Sequence, residues 1–316
     1  MLVATLTASL VLAEPLVGSG VGNADTVLSE ASRLYNKKQY AKAVDLYLKA
    51  TRIAPGTLPT YLQLARASVL AKQLQRGCYA YRVYLKASPD TPDRKKAQAE
   101  SEQCERQLKA AKGQPADPTP KYVEGRATFF AQLDKGQVMG PTGAAEELRT
   151  LVKDGLLGPE LGDMGQKLGA AAIAEAEGIH KRALANEKLP AETLRSARPL
   201  FQIASDVGQT AANATSVTAF LDGLAEFSEK DFKRATQLFG EAAKADATNK
   251  EYVFYRALSL YQAGDRLASL KVLEAELKDD ARTAVLRTSM ALGNSPEVGA
   301  AEVERLLFST RFPPEK

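Results

Sequence analysis

Small residues recur every 34 positions in two separate stretches of the chain, and this period constrains the fold more than any other feature of the sequence. The two series are Ala31, Ala65 and Ala99, and Gly223, Ala257 and Ala291. Further along each unit, a second set recurs at the same interval: Ala43, Tyr47 and Ala50, then Gly77, Tyr81 and Tyr84; and Ala235, Phe239 and Ala242, then Ser269 and Leu273, then Val303 and Leu307. The two sets predict units of two antiparallel helices, in which a small residue on the first helix allows close approach. Because one pair cannot bury its apolar stripe alone, the units should stack into an array.

The amino-acid composition agrees with a helical protein. The chain of 316 residues has no Trp and only 7% aromatic residues, while 45% of its residues are hydrophobic and 25% are charged. Ala, Leu, Lys, Glu and Gln dominate most stretches, and these residues favour helix over sheet. The sequence therefore predicts an all-α globular protein and excludes the collagen and disordered classes.

At the repeating positions the sequence resembles the tetratricopeptide repeat family. The residues that carry the resemblance are Ala31, Tyr40, Ala43, Tyr47, Ala50 and Pro55 in one unit, and Gly223, Phe232, Ala235, Phe239 and Ala242 in another. The resemblance implies antiparallel helix pairs in a right-handed superhelix, with the first helix of each pair lining a concave face where peptides bind. Some members hold C-terminal carboxylates with a Lys/Asn/Arg clamp, but Leu28 and Ser32 stand at two of its positions here. That activity is therefore not expected.

The sequence divides into five segments. They are a signal peptide at 1–24, a basic N-terminal repeat arm at 25–112, a proline-rich linker at 113–121, irregular helical hairpins at 122–210 and a C-terminal repeat arm at 211–312. The middle segment keeps a helical periodicity, including an alanine-rich run, but loses the 34-residue phase. Pro199 should interrupt a helix there, because proline lacks the amide donor and clashes with the preceding turn.

Residues 1–24 resemble a secretory signal. An uncharged apolar run is followed by small residues typical of a cleavage site after Ala24, although no Lys or Arg precedes the run. This pattern predicts a periplasmic or secreted protein, and the alternative is a weakly apolar N-terminal helix. No other segment approaches the length and apolarity of a membrane-spanning helix, so no span is expected in the mature chain.

Cys78 and Cys104 are the only two cysteines of the chain. The turn between their helices contains Thr91 as the expected N-cap, and Thr91 lies midway between the two cysteines. Residues equidistant from such a turn lie level on adjacent antiparallel helices. In an oxidising compartment this arrangement predicts a structural disulfide, and the alternative is a pair of buried reduced thiols.

Positive charge is concentrated in the N-terminal arm. Residues 25–121 hold 18 Lys and Arg against 9 Asp and Glu, whereas residues 122–316 hold 24 against 28. The candidate partner-binding residues of this arm are Lys37, Lys38, Arg66, Arg94, Lys95 and Lys96. Such a surface would steer an acidic partner toward the arm, and the alternative is a solvated face that keeps the protein soluble.

Apolar and aromatic residues form a column on the first helices of the C-terminal arm. The column consists of Phe220, Leu224 and Phe227 and, 34 positions later, Phe254, Leu258 and Tyr261. If these residues face the concave side, they form an apolar groove that binds a partner. The alternative is that the column is part of the core, which is the commoner fate of an aromatic stripe.

No catalytic constellation is present in the sequence. His180 is the single histidine, is expected to be exposed on a polar helix face, and has no second histidine with which to build a metal site. Residues 140–143 lack the length and the lysine of a phosphate-binding loop. Tyr81 and Tyr84 fall at core positions of the repeat, which argues against nucleic-acid stacking. The sequence predicts no enzyme activity, no metal, no cofactor and no nucleic-acid partner.

Together these features predict a non-enzymatic scaffold of the tetratricopeptide type that binds a protein or peptide partner in a bacterial cell-envelope assembly. The alternative, from a different functional class, is a helical solenoid that binds cell-wall glycan or another anionic polymer, either as an enzyme accessory or as an envelope enzyme.

Overall fold

The computed structural model describes residues 24–87, 93–111 and 119–291. Throughout these residues the regular secondary structure is α-helical, which confirms the predicted all-α class. The helices are α1 Ala24–Asn36, α2 Tyr40–Ile53, α3 Leu58–Leu70, α4 Leu74–Ala87, α5 Arg94–Ala110, α6 Thr119–Asp134, α7 Ala144–Asp154, α8 Glu160–Leu184, α9 Ala191–Arg195, α10 Ala197–Asp206, α11 Ala214–Ser228, α12 Phe232–Ala245, α13 Lys250–Gln262, α14 Arg266–Glu276 and α15 Ala281–Ala291. None of these described helices has the length and apolar character needed to cross a membrane.

The chain divides into two compact units. Unit 1 contains the described residues up to 173 together with 202–210, and unit 2 contains 174–201 and the described residues from 211 onward. In unit 1, α1 to α5 pack in sequence, each against the next, and α6 packs against α7. In unit 2, α9 packs against α11, and α11 to α15 pack in sequence.

The turn between the two helices of a pair repeats with the 34-residue period. Positive φ angles occur at Lys38 and Lys72 in unit 1, and at Lys230 and Gly264 in unit 2. In the first of these turns the Lys38 amide donates to the Tyr35 carbonyl at 2.9 Å, and the next amide donates to the Leu34 carbonyl at 3.0 Å. The other three turns repeat both bonds. This is the Schellman motif, which satisfies the last carbonyls of the first helix. Identical turns at a fixed spacing confirm the predicted helix pairs.

The small residues of the repeat lie where the helices of a pair approach each other. Ala31, Ala65 and Ala257 are fully buried. A Cβ atom added at Gly223 would lie 2.7 Å from the Phe239 ring, so only glycine leaves room for that ring. The predicted second-helix residues are also buried: Ala43, Tyr47, Ala50, Gly77, Tyr81, Tyr84, Ala235, Phe239, Ala242, Ser269 and Leu273.

The N-terminal series does not extend into α5 in the predicted register. Ala99 is exposed, and Ala97 is buried in its place. Both residues lie on α5, so the predicted register is wrong by two positions on this helix. In the C-terminal series Ala291 is the last residue of α15, and the predicted positions Val303 and Leu307 lie outside the described residues.

The middle of the chain forms helices without the 34-residue phase. The alanine-rich run lies in the long helix α8. The predicted interruption near Pro199 occurs at Ser196, between α9 and α10, and Pro199 is the third residue of α10. Proline is tolerated in the first turn of a helix, where its missing amide has no intrahelical partner, so the helix breaks before the proline.

A disulfide joins Cys78 on α4 to Cys104 on α5, with the two Cα atoms 5.5 Å apart. Both side chains are buried. The disulfide predicted from the spacing is confirmed, and the alternative of two reduced thiols is not what the structure contains. The expected N-cap Thr91 lies outside the described residues.

Two predicted segments also lie wholly or mainly outside the described residues. They are the signal peptide at 1–24, of which only Ala24 is described as the first residue of α1, and the linker at 113–121, of which the last three residues begin α6.

Candidate functional site

The first helices of unit 1 line a groove with a volume of about 410 Å³. Its walls come from α1, α3 and α5, with one side chain from α4. The lining residues are Tyr35, Arg66, Val69, Leu70, Tyr81, Lys96, Glu100, Gln103, Cys104 and Gln107. We call this surface the unit 1 groove. Its position on consecutive first helices follows from the repeat, because equivalent helices of stacked pairs lie side by side.

A hydrogen-bonded ion pair lies in the unit 1 groove. Arg66 on α3 donates to Glu100 on α5 through Nε at 2.9 Å and Nη2 at 3.2 Å. The Tyr81 hydroxyl donates to the same Glu100 carboxylate at 3.1 Å. Only 22% of the Arg66 side chain and 26% of the Glu100 side chain are exposed. A two-point arginine–carboxylate contact fixes both side chains, so this part of the groove is held in a defined geometry.

Burial shapes the ionisation of the groove residues. Desolvation raises the pKa of Tyr81, and the neighbouring Glu100 charge raises it further, so the phenol stays protonated as a donor. Desolvation also raises the pKa of Tyr35. For Arg66, burial works against the charged form, but hydrogen bonding and attraction to Glu100 outweigh it, and the pKa of Arg66 is raised. The groove therefore holds one neutralised ion pair.

The remaining groove residues provide contacts that suit a peptide. Gln103 and Gln107 are exposed on α5 and can both donate and accept hydrogen bonds, as a peptide backbone requires. Leu70 on α3 is 47% exposed and offers an apolar contact. Lys96 is exposed in the same lining and adds one positive charge.

The structure separates the six predicted basic residues into two kinds. Arg66 is paired with Glu100 as described, and Arg94 donates through Nη1 to the Leu85 carbonyl at 3.0 Å, so both guanidinium groups have contacts within the protein. The four lysines are exposed: Lys37 and Lys38 at the turn after α1, and Lys95 and Lys96 in the first turn of α5. Of the six, Arg66 and Lys96 line the same groove.

The apolar column of unit 2 is largely internal. Phe220, Phe254, Leu258 and Tyr261 are buried, and Leu224 and Phe227 are half-buried. The Phe220 ring packs 4.7 Å from the Tyr252 ring and 5.7 Å from the Phe239 ring, measured between centroids. This is the arrangement expected of the core alternative, and the four buried residues present little surface to a partner.

A buried cation, Arg282, lies against one ring of the column. The Arg282 guanidinium lies 4.2 Å from the centre of the Phe254 ring. It forms ion pairs with Glu251 at 2.8 Å and Asp280 at 2.6 Å, and its side chain is only 10% exposed. The hydrogen bonds from Arg282 lower the pKa of Asp280, so the carboxylate stays charged. Sequence reasoning missed this network, because its three residues lie outside the repeating positions.

His180 is half-buried, whereas the sequence predicted an exposed histidine. Its Nε2 lies 3.0 Å from the Tyr252 hydroxyl, and its ring packs edge-on to Phe220 with centroids 5.7 Å apart. Burial lowers the pKa of His180, although Glu177 and Asp246 act in the opposite direction. A neutral imidazole in this place completes the aromatic cluster of unit 2, which is a structural role.

Arg–Glu pairs separated by 34 residues recur in the structure. They are Arg66–Glu100 and Arg126–Glu160 in unit 1 and Arg195–Glu229 in unit 2. The 34-residue spacing of each pair is visible in the sequence, but it does not by itself identify the pairs, because α5 departs from the repeat register and the middle of the chain lacks the 34-residue phase.

A second open cavity of about 570 Å³ lies in unit 2 along α8 and α9. It is lined by Glu175, Gly178, Ile179, Arg182, Glu192, Thr193 and Ser196. Burial raises the pKa of Glu175. Across both units, the described residues contain no cluster of three or more His, Cys, Asp or Glu side chains placed to hold a metal ion.

No protein-family model matches the chain, and no curated protein matches it. Among solved structures, one similar to it is the TPR2AB domain of yeast Sti1 in complex with pHSP90, with 13% sequence identity, 89% of this chain and 98% of that chain covered, and a TM-score of 0.26. Another is Acl4, the assembly chaperone of RpL4, residues 1–338, with 12% identity, 92% and 98% coverage and a TM-score of 0.25. Scores this low do not establish a common overall arrangement, so the description of the fold rests on the helices, turns and burial given above.

Proposed function

We propose that this protein is a non-enzymatic scaffold of the tetratricopeptide type that holds an extended segment of a protein partner in the unit 1 groove. The observation that carries the proposal is the groove itself. Its geometry is fixed by the Arg66–Glu100 pair, and it presents the exposed Gln103 and Gln107 amides beside the exposed Leu70. A peptide backbone needs donors and acceptors together with an apolar contact, and this lining offers all three.

Exposed lysines of unit 1, of which Lys96 lines the groove, support an acidic partner. Lys37 and Lys38 lie at the turn after α1, and Lys95 and Lys96 lie at the start of α5. Charges of this kind raise the rate of encounter and select the sign of the partner more than they set affinity. Because Arg66 is already neutralised by Glu100, the charge that a partner meets comes from the lysines.

Site-specific photo-crosslinking tests the proposal. A benzophenone amino acid placed at Gln103 or Gln107 of the full chain, expressed in the cells that produce it, should yield one discrete crosslinked protein. The matched control carries the same group at Glu241, an exposed residue of unit 2, and should not yield that product. Reversing Lys95 and Lys96 to Glu should reduce the yield from Gln103 and flatten its dependence on salt.

The same experiment separates a protein scaffold from a solenoid that binds anionic polymer. Crosslinks from the groove to glycan alone, with no protein product, would favour the polymer binder and overturn the scaffold. Identical protein products from Gln103 and from the control position would show that the groove has no special role.

We further propose that the protein is exported and works in a bacterial cell-envelope assembly. The disulfide between Cys78 and Cys104 supports this location, because stable disulfides form and persist in oxidising compartments. Thiol trapping in intact cells tests it: the two cysteines should be fully oxidised in the native protein and reduced when residues 1–24 are deleted. Reduced cysteines in the native protein would contradict export.

A further inference from the structure

Five cations stand at one edge of unit 1, where the first helix of a pair turns into the second. Lys37, Lys38 and Lys42 belong to the first pair, and Lys72 and Arg76 belong to the second. We call these five residues the cationic turn edge. The period of the repeat relates them, since 34 residues separate Lys38 from Lys72 and also Lys42 from Arg76. The four lysines are exposed and Arg76 is half-buried.

The helix dipoles favour a cation at some of these five positions and disfavour one at others. Lys37 and Lys72 follow the C-terminal ends of α1 and α3, where the helix dipole attracts positive charge. Lys42 and Arg76 occupy the first turns of α2 and α4, where the dipole repels it. Neither of these first turns contains an acidic residue that would offset the repulsion. The helix dipole therefore does not explain the recurrence of cations at Lys42 and Arg76.

Unit 2 shows the arrangement that stabilises the same turn. Asp231 and Asp265, one period apart, precede α12 and α14, and their side chains accept the Arg234 and Ala268 amides at 3.0 Å. The corresponding residues in unit 1 are glutamines. Gln39 makes no side-chain cap bond, and Gln73 accepts from Arg76 Nη1 at 2.6 Å. Unit 1 thus lacks the acidic caps, and residues 46–89 contain seven Lys and Arg and no Asp or Glu.

An exposed apolar residue lies beside these cations. Leu70 is the last residue of α3, two positions before Lys72, and it is 47% exposed. The turns of consecutive pairs occupy equivalent places in the repeat, so they lie at the same end of neighbouring first helices. The lining of the unit 1 groove includes Leu70 but none of the five cations. Exposed cations on two neighbouring turns, with one exposed leucine at the end of α3, match the interface of an anionic bilayer, which offers phosphates together with acyl chains beneath them.

We infer that the cationic turn edge is a peripheral binding site for an anionic lipid bilayer, with Leu70 inserted at the headgroup boundary. This inference goes beyond the proposed scaffold function. The two share Leu70, Lys37 and Lys38, but Gln103 and Gln107, which the crosslinking experiment probes, lie outside the cationic turn edge, so the two proposals can fail separately. It would place a protein-binding groove directly at a membrane surface.

Vesicle co-sedimentation of the full chain tests the inference. Wild-type protein should sediment with vesicles of equal parts phosphatidylcholine and phosphatidylglycerol, and not with pure phosphatidylcholine. Binding should weaken as salt is added, because screening reduces the attraction of each cation. The quadruple variant Lys38→Gln/Lys42→Gln/Lys72→Gln/Arg76→Gln should bind less tightly by about fivefold for each cation removed.

Two matched controls keep the test specific. Replacing Lys181, Lys188, Lys233 and Lys244 of unit 2 by Gln removes the same charge elsewhere and should leave vesicle binding within about twofold, since all four are exposed and outside the edge. Leu70→Gln should weaken binding about fivefold at any salt concentration, whereas Leu267→Gln, at a 66% exposed leucine in unit 2, should not change it. Circular dichroism of every variant checks that the helices remain folded.

Three outcomes would overturn the inference. Equal losses in the edge variant and the charge-matched control would show that net charge alone drives sedimentation. If the wild-type protein did not bind the anionic vesicles but did bind poly-glutamate, the edge would be assigned to an acidic protein segment. Binding of soluble polyphosphate as tight as that of vesicles, with no effect of Leu70→Gln, would assign it to an anionic polymer.

Discussion

Removing the Cys78–Cys104 disulfide should destabilise unit 1 by an amount set by the loop that it closes. The two cysteines are 26 residues apart. In the chain-entropy treatment, closing a loop of that length in the unfolded chain is worth about 3.5 kcal/mol at 25 °C. Reduction of the wild-type protein leaves the packed sulfur atoms in place, so the loss should be close to this value. For an m-value of about 2 kcal/mol/M in urea, the unfolding midpoint should fall by about 1.5–2 M.

Tyrosine fluorescence in a urea titration is the suitable assay. The chain has no Trp, and eight of its 11 tyrosines lie in unit 1, so the signal reports mainly on that unit. The comparison is between oxidised wild type, wild type in a phosphine reductant, and the Cys78→Ala/Cys104→Ala variant with and without reductant. Because both side chains are buried, the double variant should lose a further roughly 1–2 kcal/mol from the space left by the sulfur atoms.

The outcome that would refute this reasoning is a midpoint unchanged by reduction. Such a result would mean that the unfolded chain between the cysteines is already as restricted as the closed loop. A midpoint shift caused by reductant in the double variant, which has no cysteine left to reduce, would show that the reductant acts through something other than the disulfide.

Three further predictions concern unit 2. Gly223→Ala should lower the unfolding free energy by about 1–2 kcal/mol, because the new Cβ would lie 2.7 Å from the buried Phe239 ring and overpacking outweighs the better helix propensity. Gly178→Ala, where nothing lies within 4 Å of the new Cβ, should instead raise the unfolding free energy by up to about 1 kcal/mol in the same thermal or urea melt. If Gly223→Ala were the more stable of the two variants, the packing around Gly223 would be contradicted. Lys230→Gly should raise the unfolding free energy by roughly 0.5–1 kcal/mol, because the backbone at Lys230 has a φ of 66° that only glycine adopts without cost. A lower unfolding free energy in this variant would show that the contacts of the lysine side chain matter more than the backbone conformation. Burial should hold the pKa of His180 below 6.5, and NMR can measure it directly because the chain has no other histidine. The unfolding free energy should fall as the pH drops through 6.5, since the unfolded imidazole binds the proton more readily than the folded one. A pKa at or above 6.5, or the same pH dependence of stability in His180→Gln as in the wild type, would be inconsistent with the burial of His180.

Most of the helix-pair architecture could be predicted from the sequence, because it depends on local information repeated at a fixed spacing. A small residue on the first helix and a large one on the second recur in the units of both series, and in one unit the structure places Gly223 against Phe239. The level position of the two cysteines followed from the same logic, since residues equidistant from one turn meet across an antiparallel pair.

The register of α5 could not be predicted in this way. The series that runs through Ala31 and Ala65 pointed to Ala99, but Ala97 is the buried residue. A period fixes which residues are equivalent only while the connecting turns keep the same length and direction. Where a unit is degenerate, packing against the preceding helix decides which face is buried.

The candidate site shows the same division. The charge of unit 1 and the identity of its lysines are properties of the composition, and they were readable from the sequence. That Arg66 is neutralised by Glu100, that the aromatic column around Phe220 is buried, and that His180 joins that column were decided only by the tertiary structure. The physical reason is that a repeating sequence specifies the neighbours within a pair, whereas charge compensation and exposure depend on every helix that packs against a side chain, including those far away in the chain.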